Sequence, residues 1–151
     1  MIEFRDLLSY RVHMVANLLS RGAELRYRRE FGVSLWEWRS LALLGGADEP
    51  LSLGELARSA GIDKGQMSRV VSGLAKRRLV SRATDPGDGR GVRLTLTRSG
   101  SKVYEGLIRA AGERDAVFRS CLTKNESQAF DRVLAKLAGR ARELIQGEKR
   151  K

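Results

Sequence analysis

Residues 51–100 run LSLGELARSAGIDKGQMSRVVSGLAKRRLVSRATDPGDGRGVRLTLTRSG. Ser52 stands where a helix cap is needed, with Glu55 three residues on, so a short helix is expected from Leu53 to about Ser59. Gly61 ends it, and Asp63 caps a second helix from Lys64 to about Arg77. Two short helices joined by Ala60-Gly61-Ile62-Asp63 carry the signature of a helix-turn-helix. From Leu79 the period changes. Residues 79–84 read as a strand, Asp85-Pro86-Gly87-Asp88-Gly89-Arg90-Gly91 as a hairpin tip, and residues 92–97 as the return strand, apolar at 92, 94 and 96.

Working outward, the first thirty residues read as one long helix with two apolar stripes. Leu8, Val12, Val15 and Leu19 form one, and Leu7, Met14, Leu18 and Leu25 the other. Gly32 stops it, and Ser34 with Glu37 forms a capping box for a helix over residues 35–44. Residues 45–50 read as a loop. After the hairpin, a helix is expected over about residues 99–121, with Val103, Leu107, Ala110, Val117 and Phe118 inward. Thr123 and Glu126 then cap a last helix striped with Phe130, Val133, Leu134, Leu137, Ala141, Leu144 and Ile145. The class is mostly α (α+β): a winged helix-turn-helix lobe over 34–97 with a β-hairpin wing, and helices at 1–31 and 99–147, within a single domain over 1–151. The apolar faces of both ends are wider than a lone surface helix needs, which points to a helical dimerisation region and a homodimer.

Composition narrows the function. The chain has 151 residues, 42% of them hydrophobic and 31% charged, as in a soluble globular protein. No apolar run approaches membrane-spanning length, and Glu3, Arg5 and Asp6 do not make a signal peptide, so no membrane association and a cytoplasmic location are expected. Cys121 is the sole cysteine, near the end of an apolar stripe, which favours a small buried hydrophobe over a redox switch. His13 is the sole histidine, there is no phosphate-binding glycine motif, and the acids sit mainly at caps and helix surfaces. We therefore expect no enzyme, no cofactor and no metal site. Asp85 and Asp88 loosely echo a calcium loop, but its downstream glutamate is missing.

The net charge is +11, unevenly placed. Residues 1–60 balance eight bases with eight acids, whereas residues 61–100 carry nine Lys or Arg against three acids. A basic block in mid-chain is the footprint of a polyanion-binding surface. On the helix from Lys64, Met67, Val70, Val71 and Leu74 face the core, while Gly65, Ser68, Arg69 and Ser72 share the opposite face, flanked by Lys64 and Gln66. Small residues let such a helix sink into a major groove, and Arg and Gln carry the forks that read guanine and adenine edges. An ordinary amphipathic helix would show more Glu and Lys outside, yet no acid occurs between Lys64 and Thr84. At the hairpin tip Arg90, between two glycines, suits a narrow minor groove, and an Asp88–Arg90 bridge would aim it.

The stretch from Leu51 to Gly100, with its Asp88-x-Arg90 and its closing Leu96-Thr97-x-x-Gly100, resembles the MarR family of winged helix-turn-helix transcriptional regulators. The helices on either side match the family's order, so the resemblance spans essentially the whole chain. It implies an obligate homodimer joined by the terminal helices, DNA contact through the helix from Lys64 and through Arg90, and release by a small, often aromatic or acidic, ligand. Two residues depart from the pattern. Arg78 stands where many relatives have glycine, so the turn there differs or Arg78 reaches a phosphate. Gly89 replaces a common basic residue.

A ligand site is expected from Tyr10, His13, Met14 and Asn17 on the first helix and Trp36 and Arg39 on the second, holding an aromatic carboxylate or a phenol with Arg39 on the acid. Together these features describe a homodimeric repressor that binds a pseudo-palindromic operator in double-stranded DNA. A regulator without a small ligand, and a protein-interaction module on the same fold, are the competing readings.

Overall fold

A computed structural model describes residues 2–87, 89 and 91–150. The chain divides into two compact units, Met1–Ala111 and Gly112–Lys151, each described by itself below.

The first unit begins with a 3-10 turn at Phe4–Asp6 and the long helix α1 (Leu8–Phe31), which ends as expected where Gly32 turns left-handed. Helix α2 (Leu35–Gly45) starts at the expected Ser34–Glu37 capping box. A two-residue strand β1 (Leu51–Ser52) follows, and Ser52 also caps α3 (Leu53–Ala60) through the box with Glu55. Helix α4 (Lys64–Lys76) is capped by Asp63, whose Oδ1 accepts from the Gln66 amide at 2.8 Å. Strands β2 (Val80–Thr84) and β3 (Val92–Leu96) form the hairpin, and α5 (Arg98–Arg119) leaves the unit near Ala111.

The sheet is antiparallel in the order β1-β3-β2, with Leu51 opposite Leu94 and Val80, Arg82 and Thr84 opposite Leu96, Leu94 and Val92. Strand β1 was not foreseen: the loop was expected over residues 45–50 and Ser52 only as a helix cap. Two residues carry no readable period, and only pairing with Leu94 and Arg93 makes them a strand. The strands are also a residue shorter than expected at each outer end. Leu79 closes the turn after α4 by donating its amide to the Leu74 carbonyl, and Thr97 is used as the start of α5.

The core gathers Tyr27, Val33, Leu41, Leu56, Met67, Val71, Leu74, Leu94 and Leu107 from α1, α2, α3, α4, the hairpin and α5. Their burial supplies the main driving force for this unit. Gly100 marks its tightest approach. A Cβ there would overlap the Leu79 carbonyl oxygen and stand 2.9 Å from its carbon. Thr97 Oγ1 accepts from the Gly100 amide at 3.0 Å and donates to the Arg78 carbonyl. The Leu96-Thr97-x-x-Gly100 motif thus has a mechanical meaning: it docks the first turn of α5 onto the backbone that follows α4.

The second unit holds the end of α5 and helix α6 (Lys124–Glu148), which opens on the expected Thr123–Glu126 capping box. Arg119 joins its two helices, pairing with Asp115 at 2.9 Å and Asp131 at 3.2 Å and donating to Ser127. Three expectations are corrected here. Val117, Phe118 and Cys121, read as inward or buried, are all exposed in the single chain, because the two helices of the second unit alone do not enclose a core. No residue of α6 is buried, and Phe130, Val133, Leu134, Leu144 and Ile145 stand exposed along it. Among the described residues no helix is long and apolar enough to cross a membrane.

Candidate nucleic-acid interface

The turn between α3 and α4 is set by two residues. Gly61 takes a left-handed conformation (φ 72°) that L-residues disfavour, and its amide and that of Ile62 return to the last carbonyls of α3. Asp63 then starts α4 two residues on. Helix α4 presents the two expected faces. Met67, Val71 and Leu74 are buried and Val70 packs against the core. Lys64, Gly65 and Arg69 are exposed, and Gln66, Ser68 and Ser72 are half-buried beside them. Neither the Lys64 nor the Arg69 side chain makes a hydrogen bond or ion pair with another described residue.

Other arginines of the basic block are held in place. Arg77 pairs with Glu37 at 3.3 Å. Arg93 donates to Asp85 at 2.8 Å and to Glu55 at 3.1 Å, tying the base of the hairpin to the capping box of α3. The Asp85 contact, with Glu55 and Glu49 adding to it, raises the Arg93 pKa, and the Ser52 amide, more than Arg93, holds the Glu55 carboxyl below its ordinary range. Asp85 also closes the tip, accepting from the Gly87 amide at 2.9 Å while its own amide donates to the Gly91 carbonyl. Arg82 reaches from β2 to donate to Ser72 Oγ at 2.9 Å. Neither Arg82 nor Arg93 was singled out from sequence. For Arg82 a signal existed: two residues after the inward Val80, it lies on the same face of the strand. For Arg93 there was none, since its partners lie 8 and 38 residues away.

Asp88 and Arg90, with the bridge expected between them, lie outside the described residues. Arg78 answers the open question about its turn. It adopts φ 57°, the only positive φ among the described non-glycine residues, so the left-handed turn is kept and an arginine bears its cost.

The residues expected to form a ligand site lie on α1 and α2. The Tyr10 ring packs 4.8 Å from Phe4, the Asn17 amide lies 2.9 Å from His13 Nε2, and Met14 is exposed. The Arg39 guanidinium stacks 4.8 Å over Trp36 and donates to Ser20 at 3.2 Å. Among the described residues no hydrogen bond joins Trp36 or Arg39 to the four residues of α1. A groove of about 290 Å³ does open beside Arg39, but its other lining residues are Trp38, Ala42, Leu43, Ser59 and Ala60.

This order of elements, with a helix pair followed by a hairpin wing whose β3 pairs back with β1, has clear relatives. Residues 31–91, from the end of α1 to the wing tip, match the model of the MarR family. Over this stretch the chain is similar to MarR-family proteins. A MarR/EmrR family transcriptional regulator of Acinetobacter sp. ADP1 shares the fold with a TM-score of 0.85 at 25% identity, over 94% of this chain and 99% of that one. MepR of Staphylococcus aureus, solved as a DNA complex, shares it with a TM-score of 0.81 at 22% identity, over 91% and 98%. The HTH-type transcriptional repressor NicR of Pseudomonas putida is 31% identical over 88 residues, 58% of this chain and 56% of that protein, so the match spans little more than half of the curated relative. Among these MarR-type proteins the winged helix-turn-helix with its hairpin wing is the shared architecture, as expected from sequence.

Proposed function

We propose that this chain is a member of the MarR family and a sequence-specific DNA-binding transcriptional regulator: a homodimeric repressor that a small aromatic or acidic ligand releases from DNA. The observation that carries DNA binding is the outward face of α4, where Lys64 and Arg69 stand exposed, their side chains without a partner among the described residues, beside Gly65, Gln66, Ser68 and Ser72, in a stretch without a single acid from Lys64 to Thr84. In this reading α4 enters the major groove, Arg69 reads base edges, and Arg90 with Asp88 acts at the wing in the minor groove. NicR is a repressor and MepR was solved on DNA, which supports the same assignment here.

The dimer rests on the apolar residues that a single chain leaves exposed: Leu8, Val15, Leu18 and Leu25 on α1, and Phe130, Val133, Leu144 and Ile145 on α6. Exposed apolar area of this extent belongs to an interface, and a twofold pair of α4 helices calls for a pseudo-palindromic operator with half-sites about 10 bp apart. Ligand release rests on Arg39, a half-buried cation beside Trp36 and at the edge of the α2–α3 groove.

Selection of bound duplex from a random pool, followed by titration at several salt concentrations, tests the assignment. A pseudo-palindromic site bound with a steep salt dependence is expected. Arg69→Ala should cost about 1–3 kcal/mol and relax discrimination at particular base pairs. Salt-independent or absent binding would leave the fold as a protein-interaction module, and failure of aromatic acids to shift the melting of the wild type but not of Arg39→Ala would remove the ligand.

A further inference from the structure

Helix α4 and the wing are separated by a small cleft of about 130 Å³, lined by Leu53, Ser68, Val71, Arg82, Val92 and Leu94. The register of the hairpin explains how it arises. Val80 and Arg82 share one face of β2, and Arg82 lies opposite Leu94, which is buried. The stem of Arg82 therefore starts over the core, and its charged head emerges at the rim, where it donates to Ser72 Oγ at 2.9 Å. Val71 and Leu94 make an apolar floor, Ser68 and Arg82 make polar walls, and Val92 is an exposed lip.

Arg82 differs from its basic neighbours in what holds it. Arg77 and Arg93 are bound to carboxylates, whereas the partner of Arg82 among the described residues is a neutral hydroxyl. Ser72 thus orients the guanidinium without neutralising it, and leaves further N–H donors of the fork free for an anion. The cleft is smaller than the 300–1,000 Å³ or so of a drug-sized pocket. Its pairing of an apolar lining with a planar cation and a serine hydroxyl matches one sugar–phosphate unit: ring carbons against Leu53 and Val92, phosphate oxygens on Arg82 and Ser68.

Resting on the DNA-binding function proposed above, we propose that this cleft seats the single sugar–phosphate unit that separates the major groove, entered by α4, from the minor groove, entered by the wing, and that Arg82 is its phosphate ligand, positioned by Ser72. Such a contact fixes the register of α4 on the duplex and carries no sequence information of its own.

The test titrates a duplex selected by the wild type with the wild type, Arg82→Gln, Arg82→Ala, Ser72→Ala and Arg69→Ala at several salt concentrations, and repeats the titrations with a neutral methylphosphonate placed at each linkage in turn. Arg82→Gln keeps an amide for Ser72 and removes only the charge. It should bind roughly tenfold more weakly, by the same factor on every single-base variant of the site, with the salt slope reduced by about 0.9 per bound copy. One methylphosphonate per half-site should weaken the wild type and be silent in both Arg82 variants. Ser72→Ala should lose a smaller factor with the slope unchanged. An unchanged slope in Arg82→Gln, a loss confined to particular base pairs, or no linkage that falls silent would overturn the proposal while DNA binding by the wild type and its weakening in Arg69→Ala stand. A wild type with no salt-dependent binding would overturn both.

Discussion

Replacing Gly100 by alanine should destabilise the first unit, although the position is helical and alanine is the better helix former. The added Cβ would overlap the Leu79 carbonyl oxygen and lie 2.9 Å from its carbon, and Leu79 is itself a buried residue. Backbone on both sides leaves no flexible side chain to yield, so the first turn of α5 must retreat. Retreat breaks the Thr97 amide bond to the Leu79 carbonyl, at 3.1 Å, and the Thr97 hydroxyl bond to the Arg78 carbonyl. Two hydrogen bonds are worth about 1 kcal/mol each. Overpacking adds roughly 1–3 kcal/mol, and the helix propensity of alanine returns about 1 kcal/mol. The balance is a loss of about 2–4 kcal/mol, or a fall in Tm of roughly 5–15 °C. Thermal and urea melts measure it directly. Gly112→Ala serves as the control, because its Cβ would meet nothing within 4 Å and should gain up to about 1 kcal/mol. If Gly100→Ala melted at or above the wild-type temperature, helix propensity would have won and the close approach of α5 to Leu79 would be wrong.

Arg78→Gly should stabilise by about 0.5–1 kcal/mol, since glycine adopts the positive φ of this turn without strain, while Arg78→Ala should gain nothing; urea melts of both separate relief of strain from loss of charge. Asp85→Ala and Arg93→Ala should each loosen the hairpin, seen as faster hydrogen exchange at the β2–β3 amides, and the double mutant should lose less than the sum of the two because they share one contact besides their separate bonds to Gly87 and Glu55; fully additive losses would mean that the shared contact contributes nothing. The carboxyls of Glu55 and Glu126 are held below the ordinary glutamate range chiefly by the Ser52 and Thr123 amides, and that of Glu30 chiefly by Arg26. Each therefore stabilises the fold fully above that range and loses its contribution as pH falls through its depressed value. Urea midpoints between about pH 3 and pH 6 should decline on acidification, less steeply in Glu55→Gln, and equal slopes would refute this role. Leu144→Asp should shift the sedimentation of the chain toward monomer at micromolar concentration, and a wild type that already sediments as a stable monomer would remove the dimer.

The helices and their starts were legible in the sequence because their causes are local. A capping box needs only Ser34 and Glu37, Ser52 and Glu55, or Thr123 and Glu126, three residues apart, and all three boxes are formed. The two faces of α4 follow from the helical period alone, and the hairpin from a glycine-rich tip between apolar alternations. What lay beyond the sequence depends on segments distant along the chain. Strand β1 exists because Leu51 and Ser52 meet β3 some forty residues later. Arg93 bridges Asp85 to Glu55, and Arg82 finds Ser72, only once the hairpin has folded against α4. Periodicity says which face of a helix or strand a residue occupies, and it marked Val117, Phe118 and the row on α6 as apolar. It does not say what covers that face, and the tertiary structure leaves those residues bare in the single chain because two helices by themselves enclose no core. The same limit held at Arg78. Sequence showed an arginine where glycine is easiest, but only the packing of Leu79 between α4 and Gly100 decided that the backbone would keep the left-handed turn and bear the strain.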